Sequence, residues 1–208
     1  LEAGVALATF ARSDKVSWGA ANSDPKARVR FNIGLSTYFP LSELFSFEPG
    51  LMYSMKGPDY KGVAIVYDPE TYEFTEISTH KKLDLSYLEA PLMVSFNAGK
   101  KLQLVAGLKP GLLLSATHKT NPENGSSTNT NAKDDYKRME VSIVTGMRYN
   151  LKERFDVQLS YETGLNNIAK VPYRPMLQVN GSQTIHNYFT SSVRNSLFKL
   201  TLFYKIKS

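Results

Sequence analysis

The chain has 208 residues, a net charge of +6, 12% aromatic residues and no cysteine. Without cysteine, neither a disulfide framework nor a thiolate metal site can form. The 25 lysines and arginines are scattered instead of forming the patch or stripe that nucleic-acid binding requires, so we expect no nucleic-acid partner. The length suits one domain, residues 1–208. Strand-like sequence begins at Leu1, so we expect that a signal peptide has been removed or is not included.

Eight segments alternate large apolar residues with small or polar ones, and this period of two predicts β-strands. In chain order they are residues 1–12, 27–39, 44–57, 82–96, 102–116, 136–151, 155–164 and 196–206. The third segment shows the pattern most clearly, with large side chains at odd-numbered positions from Phe45 to Met55 and smaller or charged ones between them. The alternation is less regular before Tyr87, which predicts a β-bulge there.

The connections between the predicted strands alternate in length. Those after the first, third, fifth and seventh strands are long, whereas those after the second, fourth and sixth are about five residues or fewer. Long loops at one end and short turns at the other are typical of outer-membrane barrels. In the third connection, VAIVY and YEFTEI can pair as a hairpin above the barrel, and residues 117–135, rich in Asn, Thr and Ser, are predicted to form a mobile loop.

The volume of the barrel decides which face of each strand points inward. An eight-stranded barrel has an interior only just wide enough for side chains, so it cannot enclose the large apolar set. The large set must therefore face lipid, where a sheet has to close to pair its backbone groups. We predict an all-β fold: a single eight-stranded antiparallel up-and-down transmembrane β-barrel, with four long loops at one end and short turns at the other.

The predicted inward face carries ten charged residues, five of each sign. They are Arg30, Lys56, Lys109, Arg148 and Lys199 against Glu48, Glu89, Glu140, Asp156 and Glu162. Unpaired buried charges are costly, so we expect a cross-linked polar network that plugs the lumen instead of an open pore. The alternative, a soluble lipocalin-like carrier with the large set inside, leaves the long and short rhythm of the connections unexplained.

Four segments carry a resemblance to a known family. FSFEPGLMYSMKG, from Phe45 to Gly57, resembles a strand motif of PorT-like outer-membrane β-barrel proteins of Bacteroidetes-type bacteria. YLEAPLMVSF, LVAGLKPGLLLS and LSYETGLNNI are similar to the fourth, fifth and seventh strands of that family. The resemblance implies an integral outer-membrane barrel in a family whose members mostly have no assigned activity, and whose namesake is linked to protein secretion.

The sequence contains no constellation that predicts catalysis. Its three histidines, His80, His118 and His186, lie on different hairpins, and no spacing places one of them beside a serine nucleophile. No paired ligands at metal-binding spacing occur either. We therefore expect no enzymatic activity, no cofactor and no metal. The alternative of a lipid-modifying enzyme requires a Ser/His/acid cluster at one rim of the barrel.

The long loops are the predicted functional surface. The last loop combines basic and aromatic residues, which suits contact with anionic lipopolysaccharide headgroups or an acidic partner. The candidates are Lys170, Tyr173, Arg174, Tyr188 and Phe189. We expect a monomeric integral protein of the bacterial outer membrane, in contact with outer-membrane lipid and with an envelope or secretion protein. Its expected role is structural, adhesive or accessory to envelope assembly or secretion.

Overall fold

A computed structural model describes residues 1–12, 17–18, 21–22, 25–67, 74–122, 127–170 and 193–206. In this part of the chain, eight strands form the wall of a barrel. They are β1 Glu2–Arg12, β2 Arg28–Ser36, β3 Phe45–Lys56 with its continuation Asp59–Tyr67, β4 Phe74–Glu89 with its continuation Leu92–Asn97, β5 Leu102–Pro122, β6 Met139–Lys152, β7 Phe155–Gly164 and β8 Val193–Tyr204.

Shorter elements decorate the wall. Phe39–Pro40 and Pro25–Lys26 pair with β3, Thr128–Asn131 pairs with β5, and Ser17–Trp18 pairs with Ala21–Asn22. A 3-10 helix spans Lys133–Asp135. Within the described residues, no helix is long and apolar enough to cross a membrane.

Each wall strand pairs antiparallel with the next, and the last strand returns to the first. Val5 of β1 lies opposite Leu200 of β8 on one side and Phe31 of β2 on the other. This ring confirms the predicted closed antiparallel barrel. Because a closed sheet has no edge, its backbone groups find partners within the wall.

The two faces of the wall differ as the alternation predicts. Phe31, Leu51 and Leu200 are each about half exposed on the outside, at 50%, 56% and 51%. Glu48, Ser54 and Lys56 on the inside of β3 are at most 4% exposed. An exposed apolar band of this extent is stable in lipid and not in water.

The β3–β4 hairpin extends well beyond the predicted strand ends. Lys56 pairs with Leu85, Asp59 with Lys82, and Tyr67 with Phe74, all in one register. The predicted VAIVY–YEFTEI hairpin is therefore confirmed as a direct continuation of the wall. The fourth strand begins at Phe74, eight residues before the predicted start at residue 82. The additional residues pair with Asp59–Tyr67, a segment in which the alternation is weak.

The prediction of a loop over residues 117–135 is wrong in part. β5 continues to Pro122 along β4, and Thr128–Asn131 pairs with β5 on its other side. Ala132 and Tyr136 are buried. The polar composition of this segment hides the strand, which is held by pairing with β4 on one side and with Thr128–Asn131 on the other.

A β-bulge interrupts the register between Leu113 and Ser115 of β5, opposite Tyr87 and Ser86 of β4. The irregularity predicted near Tyr87 is therefore present, although the extra residue belongs to the neighbouring strand. The bulge reverses the alternation along β5. A period of two continued from Gly111 and Leu113 would place Ser115 in the lumen, but Ser115 is exposed and Ala116 takes the inward position.

Gly57 provides a test of the turn that joins the two parts of β3. Its φ is +101°, a conformation that L side chains rarely adopt, and its carbonyl accepts a hydrogen bond from Arg30 Nε at 3.1 Å. We expect Gly57→Ala to lower the free energy of unfolding by about 1–2 kcal/mol, measured by urea titration in detergent micelles. Gly99→Ala is the control, because a Cβ at Gly99 has no neighbour within 4 Å; equal effects of the two substitutions would contradict this account.

Candidate functional site in the barrel interior

The centre of the lumen holds a cluster of three lysines and three glutamates from six strands. They are Lys56 of β3, Glu89 of β4, Lys109 of β5, Glu140 of β6, Glu162 of β7 and Lys199 of β8, all at most 5% exposed. We call these six residues the central cluster. Their charges sum to zero, and each side chain has a partner of opposite charge.

Two residues carry most of the connections in the central cluster. Lys56 Nζ lies 2.7 Å from Glu89 Oε1, 3.0 Å from Glu140 Oε2 and 2.6 Å from Glu162 Oε1. Glu162 Oε2 in turn lies 2.5 Å from both Lys109 Nζ and Lys199 Nζ. The cluster therefore cross-links opposite walls of the barrel.

Nearer the short turns, Arg148 forms a second buried pair with Glu48. Arg148 Nη1 lies 2.7 Å from Glu48 Oε2, and the same guanidinium donates to Gln158 Oε1 from Nε at 3.0 Å and from Nη2 at 2.9 Å. Its Cζ lies 4.2 Å from the centroid of the Phe203 ring. Ser95 Oγ donates a further hydrogen bond to Glu48.

The two remaining predicted lumen charges lie toward the ends of the barrel. Asp156 accepts a hydrogen bond from Asn150 Nδ2 at 2.8 Å and pairs with Lys205 Nζ at 2.9 Å near the short turns. At the other end, Arg30 Nη2 lies 2.7 Å from Asp84 Oδ1. All ten residues of the predicted network are thus buried, but they form several separate groups and not one.

An apolar lid covers the central cluster on the long-loop side. It consists of Leu83, Leu85, Tyr87, Leu113, Ala116, Ala132, Tyr136, Ile168 and Val193. Lys56 Nζ lies 5.1 Å from the centroid of the Tyr87 ring, which joins the lid to the central cluster. Burial raises the pKa of the Tyr136 hydroxyl, and the nearby Asp135 adds to the effect, so this group stays protonated.

Glycines make room for the carboxylates. A Cβ built on Gly111 would lie 3.2 Å from Glu89 Cγ, and one built on Gly164 would lie 3.1 Å from Glu140 Oε1. A side chain at either position would require the neighbouring glutamate to shift by a few tenths of an ångström. The inward glycines are therefore part of the packing of the central cluster.

A small cavity separates the central cluster from the Arg148–Glu48 pair. Its volume is about 40 Å³, and Glu2, Asn32, Lys199 and Thr201 contribute to its lining. A volume of this size corresponds to a few water molecules and is too small for a solute. The lumen is therefore plugged on both sides of the cavity.

Two inward residues were missed in the sequence. Glu2 is 5% exposed and lies on the same face of the first strand as Gly4 and Ala6. The alternation of that strand therefore predicts that Glu2 points inward. Asn195 lies one residue before the predicted eighth strand. Its Nδ2 donates to Glu140 Oε1 at 3.0 Å and Oε2 at 3.1 Å, which completes the environment of that carboxylate.

The histidines and the loop residues considered as catalytic or contact candidates do not form a catalytic or metal site in the described part of the chain. His80 is exposed on β4, whereas the His118 ring packs 6.1 Å from the Tyr136 ring. No described group of three or more His, Asp and Glu residues could hold a metal ion. Lys170 is exposed, with its backbone N–H bonded to Asp135 O at 2.8 Å. Other loop candidates, Tyr173, Arg174, His186, Tyr188 and Phe189, lie outside the described residues.

A closed eight-stranded barrel with an apolar outer face and an ion-paired, plugged interior defines a small outer-membrane β-barrel protein. Residues 1–170 match the outer membrane protein beta-barrel domain family, and the chain belongs to that family. Its predicted integral outer-membrane localisation is confirmed. No curated protein matches the chain.

Several solved structures are similar to the whole chain. Neisserial surface protein A has a TM-score of 0.50 and 12% identity, over 99% of this chain and 95% of that chain. Ail of Yersinia pestis, in complex with the heparin analogue sucrose octasulfate, has a TM-score of 0.47 and 12% identity, over 98% of this chain and 94% of that chain. The outer membrane protease OmpT from Escherichia coli has a TM-score of 0.44 and 11% identity, over 89% of this chain and 66% of that chain. At these identities the similarity concerns the fold alone.

Glu162 provides the sharpest single-residue test of the central cluster. Glu162→Gln removes the carboxylate shared by three lysines and leaves buried positive charge without compensation. We expect the free energy of unfolding to fall by about 3–5 kcal/mol, measured by urea titration in detergent micelles. Glu153→Gln, on the exposed turn between β6 and β7, is the matched control, with an expected effect of about 0.5 kcal/mol or less. Similar losses in both variants would contradict a bracing role for the cluster.

Proposed function

We propose that this protein is a non-enzymatic outer-membrane barrel that acts through its extracellular loops. Its role is structural, adhesive or accessory to envelope assembly or secretion. The observation that supports this proposal is the plug: Lys56 and Glu162 are each 0% exposed at the centre of the lumen. A solute channel needs a continuous polar path, and the central cluster and the apolar lid lie across it. Activity is then left to the surfaces outside the barrel.

The extended hairpin is the element best suited to such a role. β3 and β4 remain paired from Lys56 and Leu85 to Tyr67 and Phe74, so the wall projects beyond the apolar band. At about 3.3 Å per residue, the paired segment is roughly 36 Å long. A paired and braced projection presents a defined surface to a partner at lower ordering cost than a flexible loop.

We further propose that the chain is a PorT-like barrel of Bacteroidetes-type bacteria, on the strength of FSFEPGLMYSMKG and YLEAPLMVSF. The partners proposed are outer-membrane lipid, including lipopolysaccharide, and an envelope or secretion protein. Lys170, Tyr173, Arg174, Tyr188 and Phe189 of the last loop are the proposed contacts. The proposed state is a monomer.

Excision of the hairpin tests the proposed role without removing the barrel. Asp59 and Lys82 lie opposite each other, so residues 60–81 can be replaced by an Asn-Gly turn that closes the two strands. We expect the shortened protein to keep heat-modifiable gel migration, the sign of a folded barrel. Cell adhesion or export of surface proteins should fall to the level of a strain that lacks the protein.

Two results would contradict the proposal. Wild-type adhesion and export in the strain with the shortened hairpin would exclude a role for this element. Release of fatty acid from phospholipid or lipopolysaccharide by the purified protein, abolished by His80→Ala or His118→Ala, would instead identify an enzyme.

A further inference from the structure

The outer face of β4 and β5 changes character at the β-bulge. Below the bulge, Leu88, Leu112 and Leu114 are exposed on this face, at 38%, 44% and 40%. Above it the same face turns polar, because the bulge changes which residues of β5 point outward. The alternation assigns to this face His80, Lys82 and Asp84 of β4, Ser115, Thr117, Lys119 and Asn121 of β5, and Asn129 and Asn131 beside β5; the Asp84 side chain is 13% exposed. We call these nine residues the polar platform.

Backbone pairing arranges the polar platform in rows. Asp84 lies opposite Thr117, which lies opposite Asn131; in the next row, Lys82 lies opposite Lys119, which lies opposite Asn129. Asp84 is four residues from Leu88 on the same strand, or about 13 Å. The platform therefore begins where the lipid-facing leucines end, at the level of the headgroups of the outer leaflet.

The cations at the lower edge of the platform share few carboxylates. Asp84 Oδ1 lies 3.0 Å from Arg28 Nη1 and 2.7 Å from Arg30 Nη2, and Asp84 Oδ2 lies 3.0 Å from Lys119 Nζ. Arg28 Nη1 also lies 3.3 Å from Asp59 Oδ1.

The group contains Arg28, Lys82, Lys119 and the buried Arg30, which contacts Asp84 from the barrel interior. These four cationic side chains stand against the carboxylates of Asp59 and Asp84, which leaves a net charge of +2. Lys82 is half-buried and has no ion pair among the described side chains. It lies opposite Lys119 of β5 on one side and opposite Asp59 of β3 on the other. Like charges in directly opposite positions destabilise a sheet. An anion held between the two ammonium groups removes this repulsion.

We propose that the polar platform binds a phosphate of the lipid A headgroup, with Lys82 and Lys119 as the cationic contacts. Lipid is the favoured source of the phosphate because the platform continues the lipid-facing surface without a break. The amides of Asn129 and Asn131 and the hydroxyl of Thr117 suit the sugar and phosphate oxygens of such a headgroup. This inference deepens the proposed contact with lipopolysaccharide and places it on the wall, separately from the last loop.

Thermal-shift titration of the full chain in detergent micelles tests the proposal. The probes are bisphosphorylated lipid A, dephosphorylated lipid A and inorganic phosphate, and each variant is compared with its own lipid-free baseline. We expect bisphosphorylated lipid A to raise the melting temperature of the wild type by about 5 °C when it is present at ~100 times Kd. Lys82→Gln with Lys119→Gln should weaken the apparent Kd at least ~10-fold.

Two further variants separate a loss of lipid binding from a loss of folding and from a general loss of positive charge. Lys82→Gln alone breaks no described ion pair, so its effect on binding is free of a folding defect. Lys100→Gln with Lys101→Gln, at the exposed turn on the opposite end, should bind as the wild type does.

Three results would overturn the proposal: unchanged affinity in both Lys82 variants, equal binding of dephosphorylated lipid A, or an equal shift with inorganic phosphate alone. Lys170→Gln separately reports on the last loop, so a failure of that contact is distinguishable from a failure of the platform.

Discussion

The carboxylate of Glu162 is the point on which the interior of this barrel depends. It is shared by Lys56, Lys109 and Lys199, which come from three other strands. In a lumen too narrow for a channel, charges of this kind are tolerated only when each has a partner. Each of the six buried charges of the central cluster has a partner of opposite charge. Because the partners come from different strands, these ion pairs cross-link the wall of the barrel. The barrel is plugged by the same interactions that brace it.

Other features of the molecule follow from this arrangement. Gly111 and Gly164 lie where any larger side chain would meet a glutamate of the central cluster. The apolar lid keeps water on the loop side away from the ion pairs, which strengthens them. Since the inside is closed, we propose that the surfaces that meet lipid and solvent carry the function. The projecting hairpin and the polar platform both include residues of the Phe74–Glu89 part of β4, which connects them to the braced wall.

Much of this structure is predictable from alternation alone, and the exceptions have physical causes. Residues 155–164 alternate cleanly between apolar and polar side chains, and β7 begins and ends at these predicted residues. Inward charges such as Lys56 and Glu162 follow from the same period of two, but their grouping does not, because register and side-chain reach are set by distant strands. Alternation alone would place Ser115 on the inner face. It fails there because a bulge changes which residues of β5 point inward and leaves no separate signal in the composition of the strand. The polar end of β5 resembles a loop, since its stability comes from its neighbours.

The ion pairs of the lumen act together to hold the barrel closed. A double-mutant cycle on Lys199→Met and Glu162→Gln measures this cooperation directly, because the two side chains touch at 2.5 Å. The measurement is the free energy of unfolding of the wild type, both single variants and the double variant in the same micelles. Cooperation between the ion pairs predicts that the double variant is less destabilised than the sum of the two single variants, with a coupling energy of about 1–3 kcal/mol. Additive losses, within about 0.5 kcal/mol, would contradict it.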